Sequence, residues 1–270
     1  MIRSMLIVLA ALTLVAACGG SSVVTTTSMV AITTTAAPAT STDAPAPSTT
    51  TTGSDAVIDP GDGGDYTFPL TASDFVATID NPYLPLIPGS SWVYEGDGEH
   101  IEVSVLTETR VVMGITATVV RDTVTEDGEV TEDTYDWYAQ DTAGNVWYLG
   151  EDTTMFENGA AVSHEGSWEA GVDGALPGIA MEAAPAPGDS YRQEFWPGHA
   201  EDLAQVVGFG GTATTPSGDY TDLLITIEWT PLSPDEIEQK YYALGVGQVY
   251  EKVIRGNAAE SLLTEFTPGG

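Results

Sequence analysis

The sequence is short of cysteine, of basic residues and of long hydrophobic runs. Its 270 residues hold one cysteine, Cys18. An internal disulfide is therefore impossible, and so are zinc or iron–sulfur sites built on several thiolates. Lys and Arg number 7 against 40 acids, a formal charge of −33. Nucleic acid is excluded as a partner, because binding a phosphate backbone needs basic patches. Electrostatic docking on an anionic leaflet is excluded for the same reason. No apolar run reaches the roughly twenty residues that a membrane helix requires. No G-x-S-x-G elbow, H-E-x-x-H helix, P-loop or N-x-Ser/Thr sequon occurs. Hydrophobic residues nevertheless make up 42% of the chain and aromatics 9%, enough to bury a core and to exclude wholesale disorder. The length allows one large domain or two small ones.

At the N-terminus, Arg3 precedes an uncharged apolar run from Met5 to Ala17, which ends in Val15-Ala16-Ala17-Cys18. The run has the length of a signal-peptide h-region. The tetrapeptide resembles the bacterial lipobox, in which small residues precede a cysteine that is lipidated and becomes the mature N-terminus. The alternative is an ordinary cleaved signal with an incidental cysteine. The resemblance implies a signal peptide over 1–17, a diacylglyceryl (palmitate-type) anchor on Cys18 and an extracytoplasmic position on the cell membrane. Two or more acyl chains anchor stably where one does not. Lipidation would also remove the only thiol from any catalytic role.

Residues 18–65 read as anchor and linker. Half of the 36 residues in 19–54 are Ser or Thr, interrupted by Pro38, Pro45 and Pro47, with Asp43 as the single charge. So little apolar surface cannot offset ordering entropy. A coil of this length spans roughly 33 Å, and it holds an anionic domain clear of an anionic surface whose field decays over ~8 Å. The composition also permits O-glycosylation. Asp59, Asp62 and Asp65 faintly suggest a calcium loop, but their spacing does not fit one, and an acidic hinge is the better reading.

From residue 66 to 270 the pattern has period two. Ile101, Val103 and Val105 alternate with Glu102 and Ser104, and Leu223, Ile225, Ile227 and Trp229 alternate with their neighbours. Turn residues such as Asp127-Gly128 and Asn158-Gly159 punctuate the runs. Strands are expected near 91–96, 99–109, 115–125, 129–139, 145–150, 152–157, 189–196, 203–213, 219–230, 238–244, 247–255 and 260–266, with short helical turns at 71–79 and 234–239. The expected fold is mostly β, a single antiparallel meander forming a strongly curved sheet or barrel. The three prolines of 81–89 bar that segment from a central strand and place it across the entrance to the fold. Lys240 to Val249 resembles a hairpin near the C-terminus of secreted bacterial lipoproteins of unknown role; it implies a β-domain of that style and carries no catalytic residues.

Candidate chemistry is sparse. His199, with Glu201 and a third ligand from His164 or Glu165, could hold zinc or act as a base; a surface-loop histidine is the plainer reading. The pairs Glu132–Asp133, Glu151–Asp152 and Glu201–Asp202 read as a solvated anionic face rather than glycosidase carboxyls. The acidity itself reads equally as adaptation to salt. Trp137, Tyr138, Trp147, Trp168 and His199 are the candidate ligand-binding residues, as a stacking platform for a sugar ring or other flat ligand, against the alternative that these rings fill the core. Residues 158–188 form a lid, a binding loop or a packed crossover. No cofactor or metal is implied. The favoured function is a noncatalytic, monomeric, membrane-anchored module binding a small or apolar ligand or an envelope partner. The alternatives are an envelope hydrolase acting on glycan or ester substrates and a lipid carrier with a half-barrel cavity.

Overall fold

The computed structural model describes residues 65–270; the signal peptide, Cys18 and nearly all of the linker lie outside them. Apart from a 3-10 turn at Ala72–Asp74, the regular structure is β. In chain order the strands are β1 (75–76), β2 (91–96), β3 (99–112), β4 (115–126), β5 (129–141), β6 (146–157), β7 (160–163), β8 (168–169), β9 (176–181), β10 (190–192), β11 (194–195), β12 (203–215), β13 (218–229), β14 (237–243), β15 (247–255) and β16 (260–267).

All 16 belong to one antiparallel sheet, 13 of them in the order β10-β12-β13-β14-β15-β16-β2-β3-β4-β5-β6-β9-β11, with β1 paired to β5 and β7 and β8 to β6. The two ends of this path are one stretch of chain. Residues 190–192 pair with β12, and 194–195 pair with β9. Between them Gln193 N–H donates to the Asp202 carbonyl at 2.7 Å. The sheet thus bends round and nearly closes into a barrel, as a meander of this size must to avoid long open edges. The closing seam needs Gly178, because a Cβ there would fall 2.1 Å from the Gln193 carbonyl carbon.

The meander follows the expected strands closely, but 189–196 is split into the short β10 and β11, the turn expected at 71–79 is helical only over 72–74 and gives way to β1, and three further differences stand out. The stretches 145–150 and 152–157 are a single strand, β6, with Gly150 in its middle at φ +126°. There Leu149 and Gly150 together face Trp137, and the ladder resumes at Asp136–Glu151. Residues 234–239 are not helical; β14 begins at Ile237, because Glu238 pairs with Glu228 on one side and Val253 on the other. Residues 158–188 are neither a lid nor an irregular loop. They return three times to the free edge of β6, as β7, β8 and β9.

Two segments ahead of β2 tie down the barrel. Tyr66 donates its hydroxyl to the Pro177 carbonyl at 2.9 Å and packs on Phe195 at 5.1 Å, across the seam. The proline-rich strap 81–89 forms no strand, as expected, but it turns at 82–84 and 88–89 rather than running extended throughout. The Asn81 amide donates to the Gly144 and Glu182 carbonyls at 3.0 Å each, while the Pro82 carbonyl accepts from Gly245 N–H at 2.7 Å. The strap so links the β5–β6 turn to the β14–β15 turn and buries Leu84 and Leu86 beside Trp92. In the hairpin over 240–249, Tyr242 and Val249 are fully buried.

Candidate functional site

Period two places neighbouring residues on opposite faces of a strand. The paired acids are therefore split rather than solvated together. Glu132, Glu151 and Asp202 are buried at 3%, 2% and 5% exposure, while Asp133, Asp152 and Glu201 face outward. The expectation of a purely solvated acidic face is corrected on this point. One face of β4 and β5 carries Val120, Asp122, Val124, Glu132, Thr134 and Asp136 into the interior.

Where Trp137 meets the β6 bulge, a surface groove of about 270 Å3 opens. Its floor is the Trp137 ring, with the Arg110 guanidinium 3.8 Å above the ring centre. Arg110 Nη2 donates to Glu169 Oε2 at 2.6 Å, which fixes the guanidinium in place. Trp168 forms one wall and packs edge-on against Tyr148 at 5.4 Å. Its indole N–H is buried with no protein acceptor, an arrangement that costs about 1–3 kcal/mol unless a water or ligand accepts. Trp196, half-buried, closes the groove, and Asp152 and Asp173 add carboxyl groups. Glu151 also reaches it. Burial, followed by repulsion from Glu194, Asp136 and Glu132, drives the Glu151 carboxyl well above the usual range. Flat apolar faces with donors and acceptors in one cleft suit a ring that carries several hydroxyls.

The candidate residues fall into three places. Trp137 and Trp168 line the groove together. His199 lies beside it, stacked on Trp196 at 4.0 Å. His199 does not sit in an extended run with Glu201, since Pro197-Gly198 turns the chain with Gly198 at φ +79°. His164 Nδ1 contacts the Thr153 carbonyl at 2.9 Å. Among the described residues no set of three or more His, Cys, Asp or Glu side chains is arranged to hold a metal ion. Tyr138 lies on the opposite face of β5 from Trp137, stacked on Tyr148 at 4.8 Å inside the barrel. Trp147 lies apart from both, packing on Phe68 at 5.1 Å and donating its N–H to Asp141 at 2.8 Å. That bond and those from Asn145 outweigh burial and hold the Asp141 carboxyl below its ordinary value. Arg110, Glu169 and Trp196 complete the groove. Sequence spacing could not join them, because they come from β3, β8 and the turn after β11.

The interior holds two further polar groups of residues. In one, Lys240 is 1% exposed, with Nζ at 2.9 Å from Glu228, 3.7 Å from Glu238 and 3.9 Å from Glu251. Burial opposes its charge, but the three glutamates more than offset this and raise its pKa. In the other, Asp122, Glu132, Asp136, Glu151 and Glu194 lie together. Burial lifts Asp136 to about 8, against the hydrogen bond from Tyr148 Oη at 2.7 Å. Burial and then the charges of Asp136, Glu132, Asp133 and Glu99 raise Asp122 well above its ordinary value.

No family model matches the chain, and no curated protein matches it. Two solved structures are similar to it. One is a candidate exported protein with a YmcC-like fold from Bacteroides fragilis, 14% identical, covering 69% of this chain and 99% of its own, with a TM-score of 0.41. The other is a candidate lipoprotein from Parabacteroides distasonis, 12% identical, with the same coverages and a TM-score of 0.37.

Proposed function

We propose that this protein is an extracytoplasmic lipoprotein, anchored through lipid on Cys18, whose β-barrel is a noncatalytic module that binds a small hydroxyl-rich ring in the Trp137–Trp168–Trp196 groove. The observation that carries the reading is the groove itself, which brings the half-buried Trp196, Arg110 and the Asp152 and Asp173 carboxyl groups around one opening, over the buried Trp137 and Trp168. A sugar hydroxyl accepts from Arg110, and its neighbours donate to Asp152 or Asp173 while the C–H face packs on the Trp196 indole. The groove volume of about 270 Å3 suits one ring rather than a long chain.

Titration of the full chain with glucose, galactose and N-acetylglucosamine, followed by tryptophan fluorescence, tests the binding. A saturable change with at least one sugar, lost in Trp196→Ala, is expected. No saturable change with any of the three rejects the reading. The anchor is tested separately, since Cys18→Ser is expected to move the protein from the membrane pellet to the soluble fraction.

One observation favours a second reading, hydrolysis of a glycan. Glu151 is held as a buried acid at the groove wall, where a glycosidase places its general acid. Release of reducing ends from cell-wall glycan by the wild type, abolished in Glu151→Gln, would establish it.

A further inference from the structure

Beneath the strap lies a second, narrower cavity, separate from the groove. It has about 40 Å3 of room, enough for a few waters or one small polar group. Leu84 and Leu86 roof it, and the rings of Trp92, Tyr94 and Tyr138 form its sides. Two deeply buried polar side chains also line it. Asp122, 3% exposed, has Oδ1 without a hydrogen-bond partner, and Gln248, also 3% exposed, has Oε1 without one. Gln248 is held in place from its other side, where Nε2 donates to Glu251 at 2.9 Å. Tyr94 Oη is already committed to the Gln248 carbonyl at 3.0 Å.

Two orphaned acceptors and three aromatic rings ask for a donor-rich cation. Asp122 oxygen and Gln248 oxygen each need an N–H, and aromatic faces attract positive charge. Lys240 serves Glu228, Glu238 and Glu251 in this way. The strongest charges acting on Asp122 are all acids.

We propose that this cavity is a binding site for a small primary ammonium group, with Asp122 as its counter-ion, Gln248 Oε1 as a second acceptor and Trp92, Tyr94 and Tyr138 as its aromatic walls. The ammonium does for the Asp122 group what Lys240 does for the other. The protein's net charge of −33 concentrates such cations near the barrel. The cavity admits a group of methylammonium size, or the end of a longer amine whose remainder lies under the strap.

Calorimetric titration of the full chain with methylammonium chloride, against potassium chloride at equal ionic strength, tests this. Saturable binding of methylammonium is expected, weakened about tenfold or more in Asp122→Asn, which removes the counter-ion at nearly constant volume. Asp122→Asn is expected to fold, since it relieves a buried acid. Leu86→Trp, which fills the cavity from the roof, is expected to abolish binding while circular dichroism stays that of the wild type. Equal heats from potassium and methylammonium would overturn the proposal, as would an Asp122→Asn affinity within about twofold of wild type. The groove reading stands or falls separately, because none of its indoles lines this cavity.

Discussion

The two acidic groups inside the barrel differ in what faces their carboxyls: three glutamates share the Lys240 ammonium, whereas the charges acting most strongly on Asp122 are all acids. Around Lys240, Glu228 accepts from Nζ, from Thr226 Oγ1 at 3.0 Å and from Tyr242 Oη at 3.2 Å. Around Asp122 no cation is among the strongest charges, and burial raises Asp122 well above its ordinary value and lifts Asp136 to about 8. A side-chain ammonium is permanent, whereas a bound proton depends on pH and yields to a competing cation. The first group therefore keeps one fixed positive charge, although Glu238 and Glu251 within it are also raised, while the second depends on protons alone.

Several experiments would break or sharpen this contrast. The largest effect is expected for Lys240→Met, which strands Glu228, Glu238 and Glu251 in the core. Removing one partner of a buried ion pair costs about 3–5 kcal/mol, read as a lower denaturant midpoint.

The wild type should lose stability as pH rises. A carboxyl whose pKa is higher folded than unfolded binds its proton more tightly in the native state. Its contribution is full below about pH 4 and is lost as pH climbs to the folded value, about 8 for Asp136 and Asp202 and about 6 for Glu238. His100, raised by Glu95, acts in the same direction, while Asp141 and Asp74 act in the opposite one. Seven carboxyls are shifted upward, those three with Asp122, Glu151, Glu251 and Glu182, the last to about 7, so the net slope is negative. A Tm several degrees higher at pH 5 than at pH 8 is the expected calorimetric result; a rising Tm would mean that these groups are solvated.

Asp122→Asn sharpens the comparison. It should stabilise the fold at pH 8 and change little at pH 4, by up to about 1.4 kcal/mol for each pH unit between the unfolded and folded pKa values. The smallest effect is expected from Tyr148→Phe, which removes the 2.7 Å hydrogen bond to Asp136 and costs about 1 kcal/mol. Infrared titration of the Asp136 carboxyl should also show its pKa moving further upward.

The contrast between these groups was hidden in the sequence, although the strands were not. β2 and β15 begin and end at the residues that alternation and flanking turns mark out. β6 read as two strands because Gly150 interrupts the pattern while the backbone runs on through a bulge. β7, β8 and β9 left no signal: they are two to six residues long, rich in Gly, Ala and Pro, and held by pairing with β6 rather than by their own propensity. The buried acids had a faint signature in Val120-x-Asp122-x-Val124, an acid on an apolar face, and in Lys240 two residues from Tyr242. In a chain with 40 acids such signals are drowned by carboxylates that do face water. Trp137 and Trp168 were visible as aromatics, but their meeting depends on the return of residues 158–188 to β6.

The Tyr66 clip has a mechanical consequence. Any pull on the chain ahead of Asp65 is delivered first to Tyr66, whose hydroxyl grips Pro177 and whose ring rests on Phe195. These are the strands on which the cylinder shuts. Tension applied from the N-terminal side thus falls on a narrow line of the wall, two residue pairs wide between β9 and β11. A single-molecule stretching trace should show a small early yield there, before the long hairpins β3–β4 and β12–β13 give way.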